Sequence, residues 1–325
     1  MTITAEDMKF HKPANSDPEW AETNYFAFQV EEEAIYALVY TLSRPNLGVM
    51  MAHVIAYQGF NPAPMDAFFF DYRTHIPLPK KLEDYTLPMG LSVKAVNAPM
   101  EYRIDHIGHD GDTEFHLDLK GLSEPYDIAD PEMDPITKRI KEEDPKSWAV
   151  NAYKNHFDQA VHVTGEAQLL GKKHKIDCVT TMDHSWGVRP ELGVPNMAWS
   201  HAHWGPDLAF HWISYLDPLH SERVGPLFHG YCVENGKLYG LVDGDGTTKR
   251  DGLFPMEIEM NFEDVRGKKH HFTGESVATY PWCPWPNMMN YCGFLKWDYE
   301  GRTGWGETQD CLAMNYVIQG NRSAA

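Results

Sequence analysis

Between Thr181 and Asp217 the chain reads TMDHSWGVRPELGVPNMAWSHAHWGPDLAFHWISYLD, its densest run of imidazoles, indoles and carboxylates. If Met182 to Trp186 is extended, successive side chains alternate faces, so His184 and Trp186 share one side while Asp183 and Ser185 share the other. Asp183 could form a charge-assisted pair with Arg189 and so fix the turn at Gly187, a structural role beside the site. Further on, Trp199 to Trp204 and Leu208 to Asp217 read as two strands joined at Gly205-Pro206-Asp207. A three-residue loop pairs Trp204 with Leu208, which sets His203 against Ala209, His201 against His211 and Trp199 against Ile213. Tyr215 and Asp217 then fall on the same side as the three histidines. If that side is buried, each polar group must find a partner, and a polar pocket explains the set economically. If it is solvated, the histidines carry no message, and both readings stand open. His201, His203 and His211 could also offer three nitrogens to zinc. That alternative leaves Trp186 and Asp217 unused, so no metal is expected.

Elements that would position these groups are mostly strands. Five strand pairs flank turn dipeptides: Asp110-Gly111, Gly171-Lys172, Asn235-Gly236, Arg266-Gly267 and Glu300-Gly301. Asn-Gly between two alternating runs is a favoured two-residue hairpin turn. Helical periodicity is confined to Pro135 to Glu143 and Ser147 to His156, next to a polar, Pro-containing stretch that reads as a connection. The expectation is an all-β protein of two antiparallel barrel domains, residues 1–165 and 166–325, with a short, partly helical connection.

At 325 residues and 42% hydrophobic content the chain can build sizeable cores. Its formal net charge of −19 disfavours nucleic acid and anionic membrane surfaces as partners. Five cysteines without a C-x-x-C pair argue against a disulfide framework and for a reducing compartment. No secretory signal and no apolar run of spanning length is visible, which predicts a cytoplasmic protein without membrane insertion and leaves a homodimer open. There is no phosphate loop or dinucleotide fingerprint, Ser185 lacks a G-x-S-x-G setting, and His270-His271 reads as surface.

Asp183-His184-Ser185-Trp186-Gly187, followed by Tyr215-Leu216-Asp217, resembles the signature of the two-domain lipocalin-like family that includes hydroxyneurosporene synthase, a carotenoid hydratase, and related fungal pericyclic cyclases. Ser43 to Gly48 and the His162 to Asp177 hairpin resemble uncharacterised bacterial members. The resemblance implies two lipocalin-like domains, a hydrophobic substrate and no cofactor. It also implies catalytic roles for His184, Tyr215 and Asp217, with Trp186 lining the site; Trp199, His201, His203 and His211 are added here as substrate-binding candidates. Asp217 would be the acid, its pKa raised by burial against aromatic rings. Trp186 would face a carbocation-like centre, worth about 2 kcal/mol when desolvated. The expected activity is a hydratase, dehydratase, isomerase or cyclase acting on a terpenoid-like or polycyclic molecule. The rival from another class is a lipocalin-type carrier that binds such a molecule unchanged.

Overall fold

Strand periodicity accounts for most of the computed structural model, which describes residues 3–147 and 155–324. Eleven strands come first: β1 (Trp20–Val30), β2 (Ile35–Arg44), β3 (Val49–Gln58), β4 (Phe69–Pro77), β5 (Asp84–Thr86), β6 (Leu91–Asn97), β7 (Glu101–Ile107), β8 (Glu114–Gly121), β9 (Tyr126–Asp127), β10 (His156–Leu169) and β11 (Lys172–Val188). Eight follow: β12 (Met197–His203), β13 (Leu208–Leu216), β14 (Arg223–Glu234), β15 (Lys237–Asp251), β16 (Phe254–Asp264), β17 (Lys269–Trp282), β18 (Met288–Tyr299) and β19 (Arg302–Ala313). All five expected hairpins form: β7–β8, β10–β11, β14–β15, β16–β17 and β18–β19. At the β14–β15 turn both Asn235 (φ 52°) and Gly236 (φ 75°) take the left-handed conformation that an Asn-Gly hairpin turn requires.

The chain divides into two units. The first gathers Met1–Ala56, Ala67–Asp130 and Ala152–Arg189; the second gathers Tyr57–Asp66, Pro131–Asn151 and Pro190–Ala325. An expected boundary at residue 165 falls inside β10. The reason is non-local: β10 and β11 fill the gap between β8 and β1, giving the order β4-β3-β2-β1-β11-β10-β8-β7-β6-β5, with β9 against β10. That first sheet stays open as a curled half-barrel, whereas β12 to β19 close into an eight-stranded antiparallel barrel.

Alternation decides which residues meet inside each unit. In β16, Ile258, Met260 and Phe262 are buried between exposed Glu257, Glu259 and Asn261. They join Trp204, Phe210, Trp212, Phe272 and Trp297 in the barrel's apolar lumen. In β1 and β12, by contrast, every residue is buried, so both faces of these strands are covered. Helix Pro135–Glu143 forms as expected; Asp134 caps it by accepting from the Ile136 and Thr137 amides, and Pro135 occupies the first turn. The second helical expectation, Ser147 to His156, lies largely outside the described residues, and His156 itself begins β10. A C-terminal helix, Met314–Ala324, was not expected. No helix among the described residues is long and apolar enough to cross a membrane.

Candidate active site

β11 carries the Asp-His-Ser-Trp-Gly motif as a strand, and its two faces meet different surroundings. On the half-barrel's inner face, His184 and Trp186 pack with the apolar core through Phe157, 5.7 Å from the His184 ring. The Nδ1–H of His184 donates to the Thr23 carbonyl at 2.8 Å, a contact that assigns the ring proton to Nδ1. Nε2 finds no hydrogen-bond partner and lies 3.9 Å from Glu22 Oε2. Burial pulls His184 down to about 3, so the ring is neutral near pH 7 and cannot serve as a resting acid.

Glu22 was not visible as a site residue in the sequence. It is fully buried, and desolvation raises its pKa, opposed by His11. Its Oε1 accepts the His11 amide at 2.7 Å and its Oε2 meets His11 Nδ1 at 3.1 Å, while the His11 ring stacks on Trp186 at 4.0 Å. The donor atoms of His11, Glu22 and His184 lie within 4.8 Å of one another. Because both Glu22 oxygens already serve His11, the cluster works as a clasp. It fastens the N-terminal segment, whose Ile3 and Met8 enter the core, over the half-barrel. Glu22→Gln is expected to weaken this clasp by about 1.5–3 kcal/mol, the worth of a hydrogen bond to a charged group. Limited proteolysis near residue 11 and the thermal midpoint would report it.

The opposite face of β11 holds Asp183 and Ser185. Cross-strand pairing puts Asp158 of β10 directly beside Asp183 on one side and Tyr25 of β1 on the other. His156 Nε2 binds Asp158 Oδ2 at 2.9 Å, and both residues are buried. Asp183 remains partly accessible, yet desolvation first, and the negative charge of Asp158 second, push its pKa well above the ordinary carboxylate value. Arg189 opposes that rise through its charge. Asp183 thus carries a carboxyl whose pKa stands well above the ordinary value, with the Arg189 charge acting on it as its expected pairing implied.

In the second unit the β12–β13 register is the expected one: His203 pairs with Ala209, His201 with His211 and Trp199 with Ile213. Trp199, His201, His203 and His211 are all buried. They sit on the wall facing away from the lumen, because Ala202, Phe210 and Trp212 take the inward positions. The rings run in sequence, with His203 to His201 at 4.7 Å, His201 to Trp199 at 5.2 Å and Trp199 to His211 at 5.1 Å. Trp199 is thus in ring contact with both His201 and His211. His203 is held neutral by burial, its pKa lowered to about 3.

Tyr215 and Asp217 depart from expectation. Register shifts between Ile213 and Leu216 interrupt the alternation, and β13 ends at Leu216. Tyr215 is half-buried against Phe228, at 4.9 Å. Asp217 lies in the turn beyond, its side chain 53% exposed. It accepts the Tyr316 hydroxyl at 2.5 Å and His220 Nδ1 at 2.8 Å, and these bonds lower its pKa. A carboxylate so placed is the reverse of the buried acid expected at Asp217. His270, read as surface, is buried instead and binds Asp264 Oδ2 at 3.0 Å, while His271 is exposed. Arg266 also binds that oxygen, at 2.6 Å, so the nearby Cys232, Asp264 and His270 are not left to a metal.

A family profile described as a domain of unknown function, DUF7064, matches residues 4–312. No curated protein matches the chain. Among solved structures, kievitone hydratase from Nectria haematococca is similar with a TM-score of 0.54 at 10% identity, covering 97% of this chain and 96% of that one. A Nitrosomonas europaea protein provisionally assigned as AttH gives a TM-score of 0.56 at 10% identity, covering 92% and 94%. At such identities the likeness is one of fold, and the fold is the two-domain, lipocalin-like one that the sequence resembled.

Proposed function

The chain belongs to the DUF7064 family, and we propose that this member is an acid/base lyase or isomerase acting on a hydrophobic small molecule, with Asp183 as proton donor. The observation that carries this reading is a carboxyl that is reachable, desolvated and beside a second carboxyl tied to an imidazole. Two neighbouring carboxyls, one of them with a raised pKa, can serve as an acid and a base. Hydratase chemistry in a similarly folded protein is consistent with it.

In a dehydration, Asp183 gives its proton to the substrate hydroxyl, the C–O bond breaks and water leaves. A proton on the adjacent carbon passes to the Asp158 carboxylate, which His156 steadies, and the new double bond takes the C–H electron pair. Transfer of that proton from Asp158 to Asp183 restores the starting state. Hydration runs the same steps in reverse, and isomerisation uses protonation and deprotonation at different carbons. The substrate class, terpenoid-like or polycyclic, is carried from the sequence resemblance.

A panel of terpenoid alkenes, terpenoid alcohols and polycyclic enols, screened by mass spectrometry for gain or loss of one water and by chromatography for isomers, tests the reading. Turnover of none of them would count against it. Asp217→Asn should leave turnover unchanged and shift stability by no more than about 1 kcal/mol, as for an exposed site. A loss of turnover there would return the acid to Asp217. The carrier alternative finds no support in the barrel, whose lumen is filled with aromatic rings.

A further inference from the structure

His184 keeps a lone pair that nothing in the half-barrel uses. Its Nδ1–H is occupied by the Thr23 carbonyl, so Nε2 is the acceptor, and that atom is buried without a hydrogen-bond partner. It faces Glu22, whose side chain is wholly buried and whose ionic partners among the described residues are two imidazoles, His184 and His11. No lysine or arginine among those residues pairs with it. A carboxylate taken out of water needs a compensating charge, and a metal ion is one way to supply it. The spacing suits one. Glu22 Oε2 is 3.1 Å from His11 Nδ1 and 3.9 Å from His184 Nε2, and one ligand atom from each residue lies within 4.8 Å of the others. Atoms bound to one tetrahedral zinc at about 2.0–2.1 Å stand about 3.3–3.4 Å apart, so small side-chain movements close the set. Each imidazole also has an outer partner: the Thr23 carbonyl holds the His184 proton, and Asp7 Oδ1 lies 3.5 Å from His11 Nε2. The Asp7 main chain favours positive charge on the His184 ring as well.

We propose that His184 Nε2, Glu22 Oε2 and His11 Nδ1 form a zinc site on the inner face of the half-barrel, where the N-terminal segment meets β1 and β11. In the metal-free clasp, His11 Nδ1–H donates to Glu22 Oε2. Zinc takes the place of that proton: Nδ1 gives its lone pair to the metal, and the ring proton moves to Nε2, where Asp7 Oδ1 can accept it. Glu22 Oε1 keeps the His11 amide throughout. Two neutral imidazoles and one carboxylate leave the ion a single positive charge and an open fourth position, which His11, 22% exposed, connects to solvent. The Trp186 indole, stacked on His11 at 4.0 Å, holds that ring in its plane. Asp183 points from the opposite face of β11, so the site asks nothing of the acid/base reading.

Untagged full-length protein, stripped with a chelator and titrated with zinc against a chromophoric chelator, should take up one equivalent. Cobaltous ion, zinc's coloured surrogate, should give the strong visible absorption of a four-coordinate centre in place of the faint bands of an ion held by surface carboxylates. His184→Gln and Glu22→Gln should each weaken zinc binding more than about 100-fold, because loss of an outer partner alone costs about 10–100-fold. His11→Gln should do the same from a partly exposed position, and it decides the matter where the buried variants do not fold. Zinc should also slow proteolytic cleavage near residue 11 in the wild type and have no such effect in the His11→Gln protein. No stoichiometric uptake by the wild type, faint six-coordinate cobalt bands, or unchanged zinc affinity in the His11→Gln protein would overturn the site. These readouts are of binding and not of turnover, so failure here and failure of the proposed reaction are separate results.

Discussion

Asp183→Asn is expected to lower turnover by about 10²–10⁴-fold, the usual contribution of a positioned general acid, while leaving the fold intact. The amide is nearly the same size and cannot donate the proton. Its stability should be equal to the wild type at low pH and greater at high pH, and the sign follows from linkage. Asp183 holds its proton more tightly folded than unfolded, because burial and Asp158 raise its pKa above the unfolded value. Its contribution to stability is therefore fully present below the unfolded pKa of about 3.9 and is lost as pH rises through the folded value. Asparagine does not ionise and escapes that loss. For the same reason, wild-type turnover should decline as pH rises through the folded Asp183 pKa. Kinetics and denaturant melts across pH, on both proteins, give two independent readouts. A protein that keeps its activity with asparagine at 183 has its acid elsewhere, whereas one that unfolds shows Asp183 to be an anchor.

Much of this arrangement was legible in the sequence, in places where a short turn sets the register. Gly205-Pro206-Asp207 fixes β12 against β13, and the imidazole row follows from counting along both strands. The turn at Leu170-Gly171 likewise places Asp158 opposite Asp183, a pairing that the hairpin implied and that the motif's prominence obscured. Counting fails where the ladder is irregular. Asp217 was carried to the histidine face by an alternation that stops at the bulges after Ile213. Local pattern is also silent on partners brought together by distant strands. His184 meets the Thr23 carbonyl across 161 residues of sequence, and Glu22 comes with that pairing. The open half-barrel was hidden for the same reason, because the neighbour of β1 is a strand that arrives only after the chain has contributed to the second unit. Protonation state was the least legible property. Asp183 and Asp217 are the same residue type in similar aromatic company along the chain, and only packing sets one pKa up and the other down.

Trp212→Ala should destabilise the protein by about 3–5 kcal/mol, the range for removing a large aromatic side chain from a packed core. An eight-stranded barrel is just wide enough either to be filled by its own side chains or to hold one small ligand. Here Trp212 sits 5.2 Å from Phe262 and 5.8 Å from both Phe272 and Trp297, ring centre to ring centre. Phe210 and Trp204 close the same space through Phe272, each at 5.1 Å. These rings pack against one another in the lumen, so alanine should open an apolar cavity that the neighbours cannot refill. The denaturant midpoint should fall with little change in slope, and benzene should recover part of the loss by entering the hole. The indole N–H has no partner in the lumen, so its removal offsets part of the penalty and favours the lower end of the range. A near-neutral result would mean that the lumen is roomy. It would move the hydrophobic ligand into the barrel and restore the carrier reading over one in which acid and base work on the buried faces of the strands.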